Sequence, residues 1–375
     1  MKRTTALLGA AALAAMVAAA PASAANLKAA YFVSPKHPIG VGYQFLADQI
    51  KKESKGTVKI RIFAGESLLG AKAISDGVKD EVADMGHVVQ TYTPAYYPHG
   101  VLVNDLAMVG PNDMAAAMAV TELNILDCAG CVAEFAKQNA YYMAGTSTPP
   151  YVIIAKGDFN SVEKIRTKKL RAAGSLWDRF CRAIGAVAVN MPTAGMYEAI
   201  SRGTLDGALY AIGGLKTHGL GDVATQVIML NTGSFRAAAL VSMNKQSWAK
   251  MTDKERTAFM HVLPRMVVRT TAAFAEGDEE GLKVAKAKKI PLVQPDPELL
   301  RLRNEFVKKD EGLTIKYGTE KLHLADAAQF VANYKKLYAK YDKLIAPMGK
   351  DEKKLSDLLY KEVYAKLDPK TFSKK

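Results

Sequence analysis

The chain has 375 residues, 49% of them hydrophobic and 23% charged, with three cysteines. That length exceeds what one hydrophobic core serves and predicts two lobes of roughly 100 to 200 residues, while the composition is that of an ordinary globular protein and excludes a low-complexity chain. A formal charge of +14 admits nucleic acid, anionic lipid or an anionic small molecule as partner.

Residues 1–24 read as a secretory signal: Lys2 and Arg3 give a positive start, 6–20 an apolar stretch, and Ala22-Ser23-Ala24 a small-residue cleavage site. The expectation is a mature chain from Ala25 in the periplasm, a location that argues against nucleic acid. No later window approaches the roughly 18 to 20 apolar residues of a membrane span, so no membrane insertion is expected after cleavage. No cysteine lies near the cleavage site to carry a lipid anchor.

From there strand and helix alternate. Residues 28–33 read as a strand, 42–52 as a helix with Tyr43, Phe45, Leu46 and Ile50 on one face, 58–63 as a strand, 71–82 as a helix and 83–89 as a strand ending near His87. Short strands follow at 151–155, 169–172, 186–189 and 207–210, then at 227–230 and 236–243, which carry the chain back to the first lobe. Residues 252–288 are helical with few breakers, long enough to span both lobes, and the chain beyond Pro297 is mostly amphipathic helix. Lys335, Lys336, Lys340, Lys343, Lys350, Lys353 and Lys354 alternate with carboxylates at helical spacing, as on a solvated face. The pattern predicts an α/β protein of mixed sheets flanked by helices, with ligand sites where loops converge at strand ends.

Organic anions are held by guanidinium groups, whose planar fork gives a carboxylate two parallel hydrogen bonds and keeps its charge. Arg171 stands where a strand runs into a glycine turn, Lys169-Leu170-Arg171-Ala172-Ala173-Gly174. By composition alone, an arginine in the basic stretch 166–171 is more often an ordinary solvated charge.

The chain closely resembles the solute-binding proteins of TRAP transporters, the tripartite ATP-independent periplasmic systems of DctP type. The resemblance rests on Phe45-Leu46-Ala47-Asp48-Gln49-Ile50, Gly56-Thr57-Val58-Lys59-Ile60, Leu69-Gly70, Asp76-Gly77-Val78 and Ala83-Asp84-Met85-Gly86. It continues in Lys169-Leu170-Arg171, Gly185-Ala186, Asn190-Met191-Pro192, Met196-Tyr197-Glu198-Ala199-Ile200 and Arg202-Gly203-Thr204-Leu205-Asp206-Gly207. It implies a two-lobed periplasmic binding protein hinged by crossing strands and a long helix, with no catalytic activity and no cofactor. Its partners would be a small organic acid anion and the small and large membrane subunits, powered by an ion gradient. The lobes are expected at 25–148 plus 237–275 and at 149–236 plus 276–330, with a C-terminal helical extension at 331–375.

Arg171 falls on the position that the resemblance makes the carboxylate-binding arginine. Tyr210 falls where relatives place a ligand contact, as hydrogen-bond donor or stacking ring. His87 and Phe32 stand at strand ends as wall or core, and Arg236 either adds charge to the pocket or is exposed. Many relatives carry a second arginine some twenty residues before the first; here the chain reads Thr146-Ser147-Thr148-Pro149-Pro150-Tyr151. A monocarboxylate, aromatic or hydroxylated, is therefore expected, with apolar contact from Tyr151, Tyr210, Phe32 and Trp177. The tail is longer than the resemblance requires.

Cys128-Ala129-Gly130-Cys131 at a helix start is expected as a structural disulfide in an oxidising compartment, with Cys181 as a competing partner. The same spacing serves thiol oxidoreductases; zinc would need a second ligand pair. No Gly-x-Ser-x-Gly, His-Glu-x-x-His or phosphate-cradling loop is present. A binding protein of an ATP-driven importer would share the two-lobed fold.

Overall fold

A computed structural model describes residues 25–374; the secretory signal expected at 1–24 lies outside them. In chain order the principal strands are β1 (Ala25–Ala30), β2 (Val58–Phe63), β3 (Met85–Val89), β4 (Ala140–Gly145), β5 (Val152–Ala155), β6 (Lys169–Ala172), β7 (Val187–Asn190), β8 (Gly207–Tyr210), β9 (Gln226–Ile228), β10 (Ala238–Asn244) and β11 (Leu292–Val293). They form two mixed sheets, ordered β2-β1-β3-β10-β4 and β11-β9-β5-β8-β6-β7. β3 and β10 are buried along their whole length, as strands covered on both faces must be. Each sheet is the core of one lobe.

Two antiparallel segments carry the chain between the sheets, one after β4 and one before β10. They are tied by Thr148 N–H to Phe235 O (3.1 Å), Phe235 N–H to Thr148 Oγ1 (3.0 Å) and Tyr151 N–H to Gly233 O (2.8 Å). A third connection is the helix Asp253–Ala287, whose 35 residues give about 50 Å at 1.5 Å per residue. Thr252 and Glu255 close a reciprocal capping box at its start. It packs on the helix Pro38–Glu53 of the first lobe and on Gly214–Thr217 of the second. Among the described residues no single helix is long and apolar enough to cross a membrane.

Several expected elements shift by a few residues at their ends. The larger departure is at residues 98–145, which the sequence pattern left unread and which form the helices Pro98–Asn104, Asp113–Glu122 and Ala129–Lys137 and the strand β4. Residues 115–122 are all buried, because the helix Ala327–Ile345 packs across them. The lysine-rich tail is likewise not a uniformly solvated face. Lys340 Nζ reaches Glu122 (2.7 Å) and Glu362 (2.8 Å), and Tyr341 Oη donates to Glu122 (2.5 Å). Tyr364 Oη donates to Met143 O (2.8 Å) and Trp248 Nε1 to Pro369 O (3.0 Å), so the tail is clasped to the first lobe.

The disulfide joins Cys128 and Cys131, with Cα atoms 5.2 Å apart. Cys128 is the N-cap of Ala129–Lys137, its sulfur accepting from Cys131 N. Cys181 is unpaired and buried in the other lobe, and burial pushes its thiol up to about 12, where it holds no reactive thiolate near neutral pH.

Candidate functional site

Arg171 is placed by β6, which pairs in parallel with β7 and β8 so that Arg171 lies opposite Val189 and Ala208. The strand ends at Ala172 and the chain turns at Gly174, whose φ of +129° suits glycine; a Cβ there would meet Asn104 Nδ2 at 2.9 Å. Arg171 is 1% exposed. Its Nε donates to Met191 O (3.0 Å), Nη1 weakly to Leu209 O (3.5 Å) and Nη2 to Tyr92 Oη (3.4 Å). A guanidinium carries five N–H donors; besides these contacts it also hydrogen-bonds the Tyr151 hydroxyl, so the partners named here are all neutral. Among the described residues no carboxylate forms an ion pair with it. Taking an unpaired charge out of water is costly, and an anion beside it would offset that cost.

The guanidinium faces a cavity of about 40 Å³ between the lobes, room for about three water-sized groups. From the first lobe come Phe32, His37, His87 and Tyr92; from the second, Arg171, Thr193 and Tyr210; Tyr151 sits at the crossing. Phe32 stacks on His87 with ring centres 5.6 Å apart and packs against Tyr92 at 5.8 Å. Tyr151 lies 5.2 Å from Tyr210.

Trp177 does not line the cavity. It stacks behind Tyr151 at 4.9 Å, and its Nε1 donates to Thr232 O (2.8 Å). Arg236 is also elsewhere, neither exposed nor in the pocket: it is 1% exposed and bonded to Leu106 O (2.8 Å), Tyr334 Oη (2.6 Å) and Gly110 O (3.0 Å). Its guanidinium joins the C-terminal helix to the first lobe. A larger groove of about 1020 Å³ runs beside the helices Ser175–Ala183 and Pro297–Glu320. Its arginines are already paired, Arg179 with Asp105 and Asp310 and Arg182 with Asp178, so it lacks the open guanidinium that distinguishes the smaller cavity.

Sequence reasoning missed His37 and His218, which flank Tyr210. Ile39 N–H donates to His37 Nδ1 (3.2 Å), so the His37 proton sits on Nε2 and is donated to Tyr210 Oη (3.2 Å). The phenol also lies 3.0 Å from His218 Nε2, the direction of that bond being set by the His218 tautomer. The Tyr210 ring lies 6.0 Å from the Arg171 guanidinium. Burial holds both imidazoles neutral, His218 near 4 and His37 well below its ordinary value, with Arg171 adding to the first and His218 and His87 to the second. Among the described residues no cluster of three His, Cys, Asp or Glu side chains is arranged to hold a metal ion.

Asp278, on the long helix, accepts Gly213 N–H (2.8 Å) just beyond β8, yet burial pushes its carboxyl up to about 6. A carboxyl raised above the ordinary value of about 3.9 binds its proton more tightly in the folded state. Its stabilising contribution is full below about pH 4 and lost as the pH rises through 6. Asp278→Asn, which keeps an oxygen for Gly213, is expected to raise the melting temperature at pH 8 and to change it little at pH 4; a drop at pH 8 would contradict this.

Residues 29–309 match the model of DctP, bacterial extracellular solute-binding protein, family 7. Similar solved structures include a TRAP solute-binding protein of Rhodoferax ferrireducens with copurified benzoate, 20% identical over 86% of this chain and 99% of that one, with a TM-score of 0.75. Another is a TRAP periplasmic solute-binding protein of Bordetella bronchiseptica with (R)- and (S)-mandelate, 17% identical over 84% and 99%, TM-score 0.72. A third is a Bordetella pertussis extracytoplasmic solute receptor binding pyroglutamic acid, 15% identical over 84% and 100%, TM-score 0.69. At such identities the likeness speaks for the two-lobed fold; with three quarters of the sequence matched by the family model, the chain belongs to bacterial extracellular solute-binding protein family 7, the DctP family of TRAP solute-binding proteins.

Proposed function

We propose that this protein, once exported to the periplasm, captures a small organic acid, a monocarboxylate, on Arg171 and presents it to the small and large membrane subunits of a TRAP transporter. The observation that carries this reading is a guanidinium 1% exposed whose hydrogen-bond partners are neutral and which, among the described residues, has no carboxylate partner. The cavity holds no second arginine or lysine, which favours one carboxylate over two. The relatives solved with benzoate, mandelate and pyroglutamate bind acids of this class.

Arg171 is out of reach of bulk solvent, so entry requires the lobes to part. On closure Tyr92 of the first lobe meets Arg171 and Thr193 N of the second. A ligand shifts the open and closed populations only as far as it is bound better in the closed form, and this inter-lobe contact supplies such a difference. A thermal-shift screen of mono- and dicarboxylates, sulfonates and amino acids tests the reading. A monocarboxylate at a hundredfold excess over its Kd should stabilise the protein by about 2.7 kcal/mol. A response confined to uncharged or cationic compounds, or none to any acid, would overturn it.

A further inference from the structure

The polar groups left open in the cavity are not chemically equivalent. Arg171 only donates. Tyr92 Oη already accepts from Arg171 and Thr193, so its free capacity is a proton. The hydroxyls of Thr146 and Thr193 are buried without partners, and a hydroxyl turns to donate or accept as required. His87 differs from all of these.

His87 is on β3 and 4% exposed. Its Nδ1 faces Ala239 O at 3.2 Å; a carbonyl only accepts, so the ring proton is on Nδ1. Nε2 of the neutral ring is then an sp² acceptor, and among the described residues no hydrogen bond occupies it. Phe32 stacked on the ring at 5.6 Å fixes its plane. Burial holds the imidazole near 4, against the Ala239 carbonyl that favours the charged form, so the acceptor persists at neutral pH. A lone pair there repels a second carboxylate and attracts a proton donor.

We propose that His87 Nε2 accepts a hydrogen bond from a hydroxyl of the ligand, so that the acid taken up is a small hydroxylated monocarboxylate, its carboxylate on the second lobe and its hydroxyl on the first. This rests on the reading that Arg171 holds the carboxylate. A ligand with both groups bridges the lobes and favours closure. One without the hydroxyl leaves a buried acceptor unpaired, which is what gives polar pockets their discrimination.

The test is titration calorimetry with three matched pairs: lactate and propionate, mandelate and phenylacetate, 3-hydroxybenzoate and benzoate. For the pair that binds best, the hydroxylated acid is expected to bind at least about tenfold more tightly, about 1.4 kcal/mol. His87→Phe should bring the ratio within each pair close to one, while His87→Gln, which keeps an acceptor, should preserve the preference. The wild-type ratio needs no variant to fold. A wild-type ratio near one, a preference undiminished in His87→Phe, or binding by none of the six acids would overturn the proposal. Arg171→Ala separates the two layers: if it leaves the affinities unchanged, the carboxylate reading itself fails, whereas if it abolishes binding and the His87 ratio does not move, only the hydroxyl assignment fails.

Discussion

Asp105→Ala is expected to destabilise the protein by about 3–5 kcal/mol, the usual cost of removing one partner from a buried ion pair. Asp105 is fully buried at the end of Pro98–Asn104. It accepts Ser175 Oγ (2.6 Å) and Leu176 N–H (2.9 Å) at the start of the helix Ser175–Ala183 and pairs with Arg179 (2.6 Å). That helix begins after Gly174, which has no side chain to cap it, so the cap comes from a distant segment. Arg179 also reaches Asp310 and Thr314, both at 3.0 Å, on the helix Pro297–Glu320. Burial raises the Asp105 carboxyl against the pull of Arg179, Ser175 and Leu176, a sign of how closed the environment is. The alanine variant leaves a guanidinium facing Asp310 alone and a helix start without its acceptor. Urea denaturation measures the loss; a change under about 1 kcal/mol, typical of an exposed pair, would contradict this account. The double variant Asp105→Ala/Arg179→Met is expected to recover part of the loss, because it removes the stranded charge as well.

What the sequence made legible follows from where the side chains stand. β2, β6 and β8 are found at the residues their patterns indicated, because short apolar runs between glycine and polar turns leave little freedom of register. Arg171 and Phe32 lie at or near strand ends, where loops converge, and this made them visible as candidates; His87, expected at a strand end, stands in the middle of β3. Asp113–Glu122 was not legible: Ala-Ala-Ala-Met-Ala-Val has no polar face to set a helical period, since a helix covered on all sides needs none. His37 and His218 were invisible for another reason. One begins a helix and the other follows a short turn, and only the tertiary fold brings both to Tyr210. Arg236 and Lys340 show the limit of reading charge from composition, because each is committed to partners more than ninety residues away in sequence. Trp177 was placed one layer too far forward, behind Tyr151 rather than in the cavity.

The largest effect on binding is expected at Arg171. Its planar fork matches the two oxygens of a carboxylate, and among the described residues no carboxylate is paired with it. Truncating a buried charged partner of this kind costs on the order of 2–5 kcal/mol of affinity, a loss of at least tenfold. The folded state should tolerate the change, since the alanine variant also removes a buried cation that lacks a carboxylate partner. A structural arginine behaves oppositely, losing stability on truncation. The decisive measurement is a calorimetric titration of wild type and Arg171→Ala with the best acid from the thermal-shift screen, beside the melting temperature of each protein without ligand. The expected result is affinity reduced at least tenfold in a variant that remains folded; equal affinity in the two proteins would mean that the acid is held elsewhere and that Arg171 is not its anchor.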